Sequence, residues 1–235
     1  MSASSSGEKQ RRNGSDPVEI KLPGFRSPLD PSRALRVGGR GLPREHVTQV
    51  QQERIIDAFV QVVAENGYEG AGIKAICRRA GVAFNTFYEF FATKEQLFLS
   101  TFDTGVEILL ESAGTAFRSG DAPWEIRVET SIRVFLQILA DNPSFARFAV
   151  VEVHKVGPDA MFRVNRQFEA AYTMFSDVEP APGLSMTTPE LLPLVIGGIY
   201  ARIYSYIHTG RTEHLPELLP NFMEFVQAML GQPTI

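Results

Sequence analysis

The residues of this chain whose types and spacing could do chemistry lie between positions 80 and 97, in the run AGVAFNTFYEFFATKEQL. Gly81 suits a left-handed turn position. The segment after it reads as a helix of one to two turns with a polar and aromatic exposed side. Thr93 then reads as the N-cap of a longer helix, with Glu95 and Gln96 in its first turn. A short helix held rigidly behind a glycine-containing turn can deliver side chains into the major groove of DNA. The expected chemistry is therefore recognition, not bond making. No Ser/His/Asp or Cys/His constellation, glycine-rich phosphate loop or paired-carboxylate motif stands out, so no enzymatic activity is expected. Cys77, the single cysteine, falls on the apolar side of its helix and reads as core packing in preference to a redox switch. His208 and His214 flank Glu213 with no further ligand cluster, and they read as surface histidines. Neither a metal nor a cofactor is expected.

Such side chains need a scaffold, and apolar periodicity supplies one. Ile56, Phe59, Val60 and Val63 recur at helical spacing until Asn66-Gly67 ends the run. Ile73, Ile76, Cys77 and Ala80 mark a short second helix, and Val82 can plug the angle before the third. Phe87, Phe90 and Phe91 give that third helix its buried side. Beyond residue 103 the pattern stays helical, which predicts helices near 94–117, 123–141, 143–155, 158–177, 189–208 and 215–230. Pro123, Pro143, Pro158 and Pro189 fall at the proposed starts, where a missing N–H costs nothing. Residues 178–188, with two prolines and a glycine, read as the main internal loop. Residues 1 to about 43 are rich in Ser, Gly, Pro and Arg without apolar periodicity. They bury too little to offset their ordering entropy and read as disordered in isolation.

Composition narrows the class further. The chain has 235 residues, 44% of them hydrophobic, and a mean hydropathy of −0.06, as expected for a soluble globular protein. The basic N-terminus has no apolar run behind it, which argues against a signal peptide. The longest apolar run, 191–201, is interrupted by Pro193 and is too short to span a bilayer. One cysteine fits a reducing cytoplasm. The net charge of −4 alone argues against nucleic acid, but its distribution does not. Residues 1–47 hold nine Lys/Arg against five Asp/Glu, residues 48–102 five against six, and residues 103–235 nine against sixteen. The basic excess lies directly before the candidate reader, as expected when one end meets a polyanion.

The run Arg54-Ile55-Ile56-Asp57-Ala58 through Glu65-Asn66-Gly67-Tyr68, then Ile76, Ala80-Gly81-Val82, Thr86-Phe87-Tyr88, Phe91 and Lys94-Glu95-x-Leu97, resembles the tetracycline-repressor (TetR) family. The match covers roughly residues 50–100 without a gap. The resemblance implies an all-α homodimer with a three-helix helix-turn-helix DNA-binding domain, here 47–98, and a six-helix ligand-binding and dimerisation domain, here 99–235, behind the disordered or flexible basic arm that composition places at 1–46. It places Phe84, Asn85, Thr86 and Tyr88 on the recognition helix. Thr86 and Tyr88 would bond phosphates, while Asn85 and Phe84 would reach base edges or thymine methyls. Lys94 would meet a phosphate at the start of the fourth helix. Three positions depart from the pattern. Ala71, Gly72 and Ala83 stand where capping hydroxyls are frequent, which thins the grip on the DNA backbone. The arm is expected to compensate, with Arg33, Arg36, Arg40 and Arg44 along phosphates or in a minor groove.

Aromatic residues are frequent in the second domain, and most are core. An apolar or aromatic effector would suit them, with Phe135, Phe148, Phe168, Tyr172 and Tyr204 as lining and Arg133 or His154 as polar anchor. The last two helices carry broad apolar stripes: Leu192, Val195, Ile196, Ile199 and Ile203 with small residues at Gly197, Gly198 and Ala201, then Leu218, Leu219, Phe222, Phe225, Val226 and Met229. Those stripes are expected to pair across a two-fold axis. The reading is a cytoplasmic, ligand-responsive repressor that binds double-stranded operator DNA as a dimer, with no membrane partner. The competing class is an all-α small-molecule carrier or enzyme with a vestigial DNA-binding module.

Overall fold

A computed structural model describes residues 20–33, 43–119, 121–176 and 178–231. Arg36 and Arg40 of the expected arm lie outside the described residues. The described residues form nine α-helices and one two-residue antiparallel strand pair, Glu179–Pro180 with Leu230–Gly231.

Helix α1 (Arg44–Gly70) buries Ile55, Phe59 and Val63 on its apolar face and loses helical geometry at Gly67, whose φ of 75° suits glycine. Helix α2 (Ile73–Ala80) ends on Gly81 in the left-handed conformation. This is the turn glycine the sequence requires. Helix α3 (Phe84–Phe90) follows and anchors itself through fully buried Phe87. Neither Gly72 nor Ala83 provides a side-chain cap, so these two starts lack the stabilisation of about 1 kcal/mol that a Ser or Thr usually gives. Thr93 does cap α4 (Lys94–Arg118): its hydroxyl accepts the Gln96 N–H at 3.0 Å, and Gln96 Oε1 accepts the Ala92 N–H at 2.7 Å.

Helix α4 leaves the N-terminal three-helix domain and packs along α5 (Trp124–Asp141), the first helix wholly inside the second domain. The predicted helix at 143–155 is not one regular element. It is a short α6 (Pro143–Ala146), a π-helical turn Arg147–Val151 and a 310 turn Glu152–Lys155. Helix α7 (Pro158–Met174) and α8 (Thr188–His208) follow, then a 310 segment Thr212–Leu218 that leads into α9 (Leu219–Met229). Pro143 and Pro158 open their helices as the sequence predicts.

The two domains share an aromatic core. Phe59 of α1 and Phe98 of α4 both meet Phe148 of the π-helical turn, with ring centroids 5.6 and 4.1 Å apart, and Phe145 adds a further ring. Gly105 lets α4 approach this cluster, because a Cβ there would overlap the Phe145 ring. Gly105→Ala should therefore lower stability by about 1–3 kcal/mol, the usual cost of overpacking. Denaturant titration reads this directly; an unchanged midpoint would mean that Phe145 has somewhere else to go.

Candidate DNA-reading face and effector cavity

On α3, one side is core and the other is open. Phe84 and Tyr88 are 42% and 48% exposed, and Asn85 is also exposed. Thr86 is half-buried. The rings of Phe84 and Tyr88 sit 5.3 Å apart, and Tyr88 also leans on buried Phe87 at 5.3 Å. The result is an exposed aromatic ridge flanked by an amide and a hydroxyl. Helix α2 is pinned behind it by a two-pronged Arg79–Glu65 ion pair, at 2.7 and 2.6 Å, which holds the Glu65 carboxyl below its ordinary range. Lys94 donates to the Tyr68 carbonyl at 2.8 Å and lies 4.2 Å from the centre of the Tyr68 ring; burial pushes its ammonium pKa down. Arg44 is exposed at the first turn of α1.

Residues 20–33 differ from the flexible arm expected there. They form a strap that crosses α1 from one domain to the other. At its start, Asn142 at the end of α5 accepts the Leu22 N–H and donates to the Ile20 carbonyl, both at 3.2 Å. Leu22 is buried. Gly24, at φ 88°, presses so closely on Val60 that a Cβ would overlap it, and its N–H reaches Asp57 Oδ1 at 2.8 Å. Gln61 donates to the carbonyls of Gly24 and Arg26. Leu29 lies over Gly81 of the turn. Arg33 corrects the sequence expectation most clearly. Its guanidinium is buried against Asp57 at 2.7 Å and Glu53 at 3.2 Å, so it is spent inside the protein and not offered to DNA. The sequence signal was Asp57 itself, a carboxylate within the apolar run of α1.

The second domain encloses a cavity of about 200 Å3 between α4, α5, α7, α8 and the π-helical turn. Its wall is apolar apart from Ser131, Gln167 and Tyr200, and the Ser131 hydroxyl is already spent on the Ala113 carbonyl at 2.9 Å. Phe135 and Phe168 line it. Phe148 belongs to the interdomain aromatic core instead, where its ring meets Phe59 and Phe98. Tyr172 stacks on Phe168 from outside the wall, and Tyr204 packs between His154 and His208. Arg133 stands on the surface in an ion pair with Glu129, and His154 faces the Tyr200 hydroxyl at 3.0 Å. Neither is a polar anchor on the cavity wall. Tyr200, which the sequence pattern did not distinguish from ordinary core, is the nearest thing to one. Burial pushes its hydroxyl up to about 12, so it stays a donor, and it bonds the Val150 carbonyl at 3.2 Å.

The α8 stripe is likewise corrected. Leu192, Val195, Ile196, Ile199 and Ile203 all line the cavity and so are not a free face. What α8 and α9 do present outward is Leu194, Gly198, Ala201 and Phe225, with Phe225 lying against Gly198. Among the described residues no group of three His, Cys, Asp or Glu could hold a metal; His214 pairs with Glu217 at 2.8 Å. No helix among them is long and apolar enough to cross a membrane.

A glycine-turned helix pair with an exposed aromatic ridge, joined to a helical domain around an apolar cavity, defines a helix-turn-helix protein of all-α architecture. Residues 55–101 match the family of bacterial regulatory proteins, tetR family. The fatty acid metabolism regulator protein of Bacillus subtilis (strain 168) is 47% identical over 49 residues, 21% of this chain and 25% of that protein. The HTH-type transcriptional repressor KstR of Mycolicibacterium smegmatis is 29% identical over 75 residues, 32% of this chain and 37% of that protein. These matches therefore span only a quarter to two fifths of the curated relatives. Among solved structures, FadR from B. subtilis in complex with stearoyl-CoA superposes with a TM-score of 0.63 at 21% identity, covering 74% of this chain and 97% of that one. FadR from Bacillus halodurans gives 0.66 at 19% identity, covering 75% and 94%. At these identities the likeness is one of fold.

Proposed function

We propose that this chain is a one-component repressor that binds operator DNA as a homodimer and is released when an apolar effector fills the cavity of the second domain. The observation that carries the reading is the pairing of two features in one chain: the exposed Phe84–Tyr88 ridge and a chamber with almost no polar surface. In the dimer, the outward face of α8 and α9 around Leu194, Gly198 and Phe225 pairs with its copy across a two-fold axis. Phe84, Asn85, Thr86 and Tyr88 read the groove and its phosphates, and Lys94, Arg40 and Arg44 add backbone contacts. The effector is a hydrocarbon chain with its polar head outside the wall. An engineered apolar cavity of about 150 Å3 takes a benzene molecule, so the present volume suits a modest chain, and a long one requires the walls to part. The stearoyl-CoA bound to B. subtilis FadR is the reason to begin with acyl-CoAs. The reading places the protein in the cytoplasm, with its DNA.

The test is selection of a DNA site from random duplexes, followed by competition with acyl-CoAs from octanoyl to stearoyl. At about 0.15 M salt, nanomolar affinity for a palindrome and at least tenfold weakening by one chain-length class is the expected result. Only weak binding, lost to nonspecific competitor, would overturn it in favour of a carrier with an idle DNA module.

A further inference from the structure

Glu152 has no exposed surface, although it lies in the 310 turn that directly follows the π-helical turn. Its carboxylate reaches across the domain boundary. Oε2 accepts the Tyr68 backbone N–H at 2.9 Å, where Gly67 has just broken α1. Lys155 donates to both oxygens at 3.0 and 3.1 Å, and Arg147 to Oε1 at 3.3 Å, so the charge is compensated from its own side of the boundary. Gly67 permits the approach, since a Cβ there would stand 3.3 Å from Oε2. The preceding residues face the other way: Ala149 and Val150 are cavity wall, and the Val150 carbonyl holds the hydroxyl of Tyr200, itself a wall residue. One irregular turn thus separates the cavity from the end of α1.

We infer that Glu152 is the positioning residue through which the reader domain senses what fills the cavity. A π turn running into a 310 turn has poorer hydrogen-bond geometry than α-helix, and such turns recur at functional sites because they can rewind. An occupant that displaces Val150 or Tyr200 favours another winding of residues 147–155, and the Glu152 carboxylate moves with it. Tyr68 follows through its N–H. Its carbonyl is held by Lys94 at 2.8 Å, and its ring rests on Phe98 with centroids 5.3 Å apart, so the shift passes to the start of α4, next to α3. The occupant acts only through its different affinity for the two windings. This inference rests on the effector reading above for the chemistry of the occupant, not for the path.

Hydrogen exchange on the full-length protein tests it, comparing the unsubstituted chain with Glu152→Ala and Glu152→Gln, each with and without stearoyl-CoA. Slowed exchange at residues 106–113 reports that the cavity is occupied. In the unsubstituted chain, occupation should also change exchange over residues 64–80 by at least about threefold, as expected for a biased local opening. Glu152→Ala should abolish that second change and leave the first intact. Glu152→Gln, which keeps an oxygen for Tyr68, should retain part of it. If stearoyl-CoA leaves 106–113 untouched, the acyl reading fails, and Ala171→Trp then serves as an occupant built into the wall. An equal response at 64–80 in Glu152→Ala and the unsubstituted chain, or none in the latter despite a filled cavity, overturns the inference.

Discussion

Asn85→Ala is expected to weaken operator binding by about 1–3 kcal/mol, roughly 5- to 150-fold, and to relax sequence preference at one base pair per half-site, because an amide that reads a base edge carries that much discrimination. Tyr88→Phe tests a different role. It removes a hydroxyl while keeping the ring against Phe84 and Phe87, so its loss should be uniform across sequences and, because no cation is removed, should leave the salt slope unchanged. Both side chains are exposed, so melting should stay within about 0.5 kcal/mol of the parent. Anisotropy titrations with matched and mismatched duplexes separate the two roles. Equal, sequence-independent losses for both variants would show that α3 grips the backbone only, and specificity would then have to come from DNA shape.

What the sequence made legible follows from how local each signal is. Gly81 in the left-handed turn, Thr93 as a cap and prolines at the first positions of α6 and α7 are decided by a few neighbouring backbone atoms, and they lie where the residues alone put them. The helix-turn-helix could be read for the same reason. The destination of an apolar stripe is a different question. Leu192 through Ile203 give the same periodicity whether the helix faces core, a partner or a chamber, and here they face the chamber. The breakdown of the helix after Ala146 was also invisible, since no glycine or proline interrupts residues 144–156. The contacts made by the irregular turn come from far along the chain: the Tyr200 hydroxyl on the Val150 carbonyl and the Tyr68 N–H on the Glu152 carboxylate.

The strap was hidden for a related reason, and it yields the largest stability effect. Residues 20–33 have no apolar period; side chains of Asp57, Gln61 and Asn142 satisfy their backbone instead. Asp57 and Arg33 are 7% and 8% exposed. Removing one partner of a buried pair leaves an uncompensated charge and typically costs about 3–5 kcal/mol, where replacing both by apolar residues is often neutral. Asp57→Ala leaves Arg33 only the more exposed Glu53 at 3.2 Å and takes the acceptor from the Gly24 N–H, so it should destabilise by up to about that amount, a large share of the roughly 5–15 kcal/mol that holds a domain folded. Arg33→Met with Asp57→Leu should recover most of the loss, although the Gly24 N–H then lacks its acceptor, so recovery should stay incomplete by about 1 kcal/mol. Denaturant midpoints of the two variants decide between a buried pair and an exposed one, for which both would lie within about 1 kcal/mol of the parent. The same comparison separates strap from arm. Truncation of residues 1–43 removes the strap together with the basic residues, so a loss of DNA binding in that truncation would not identify the arginines. Arg36→Ala with Arg40→Ala leaves the strap intact, and a flattened salt dependence at unchanged midpoint would assign phosphate contacts to these two arginines and not to the strap.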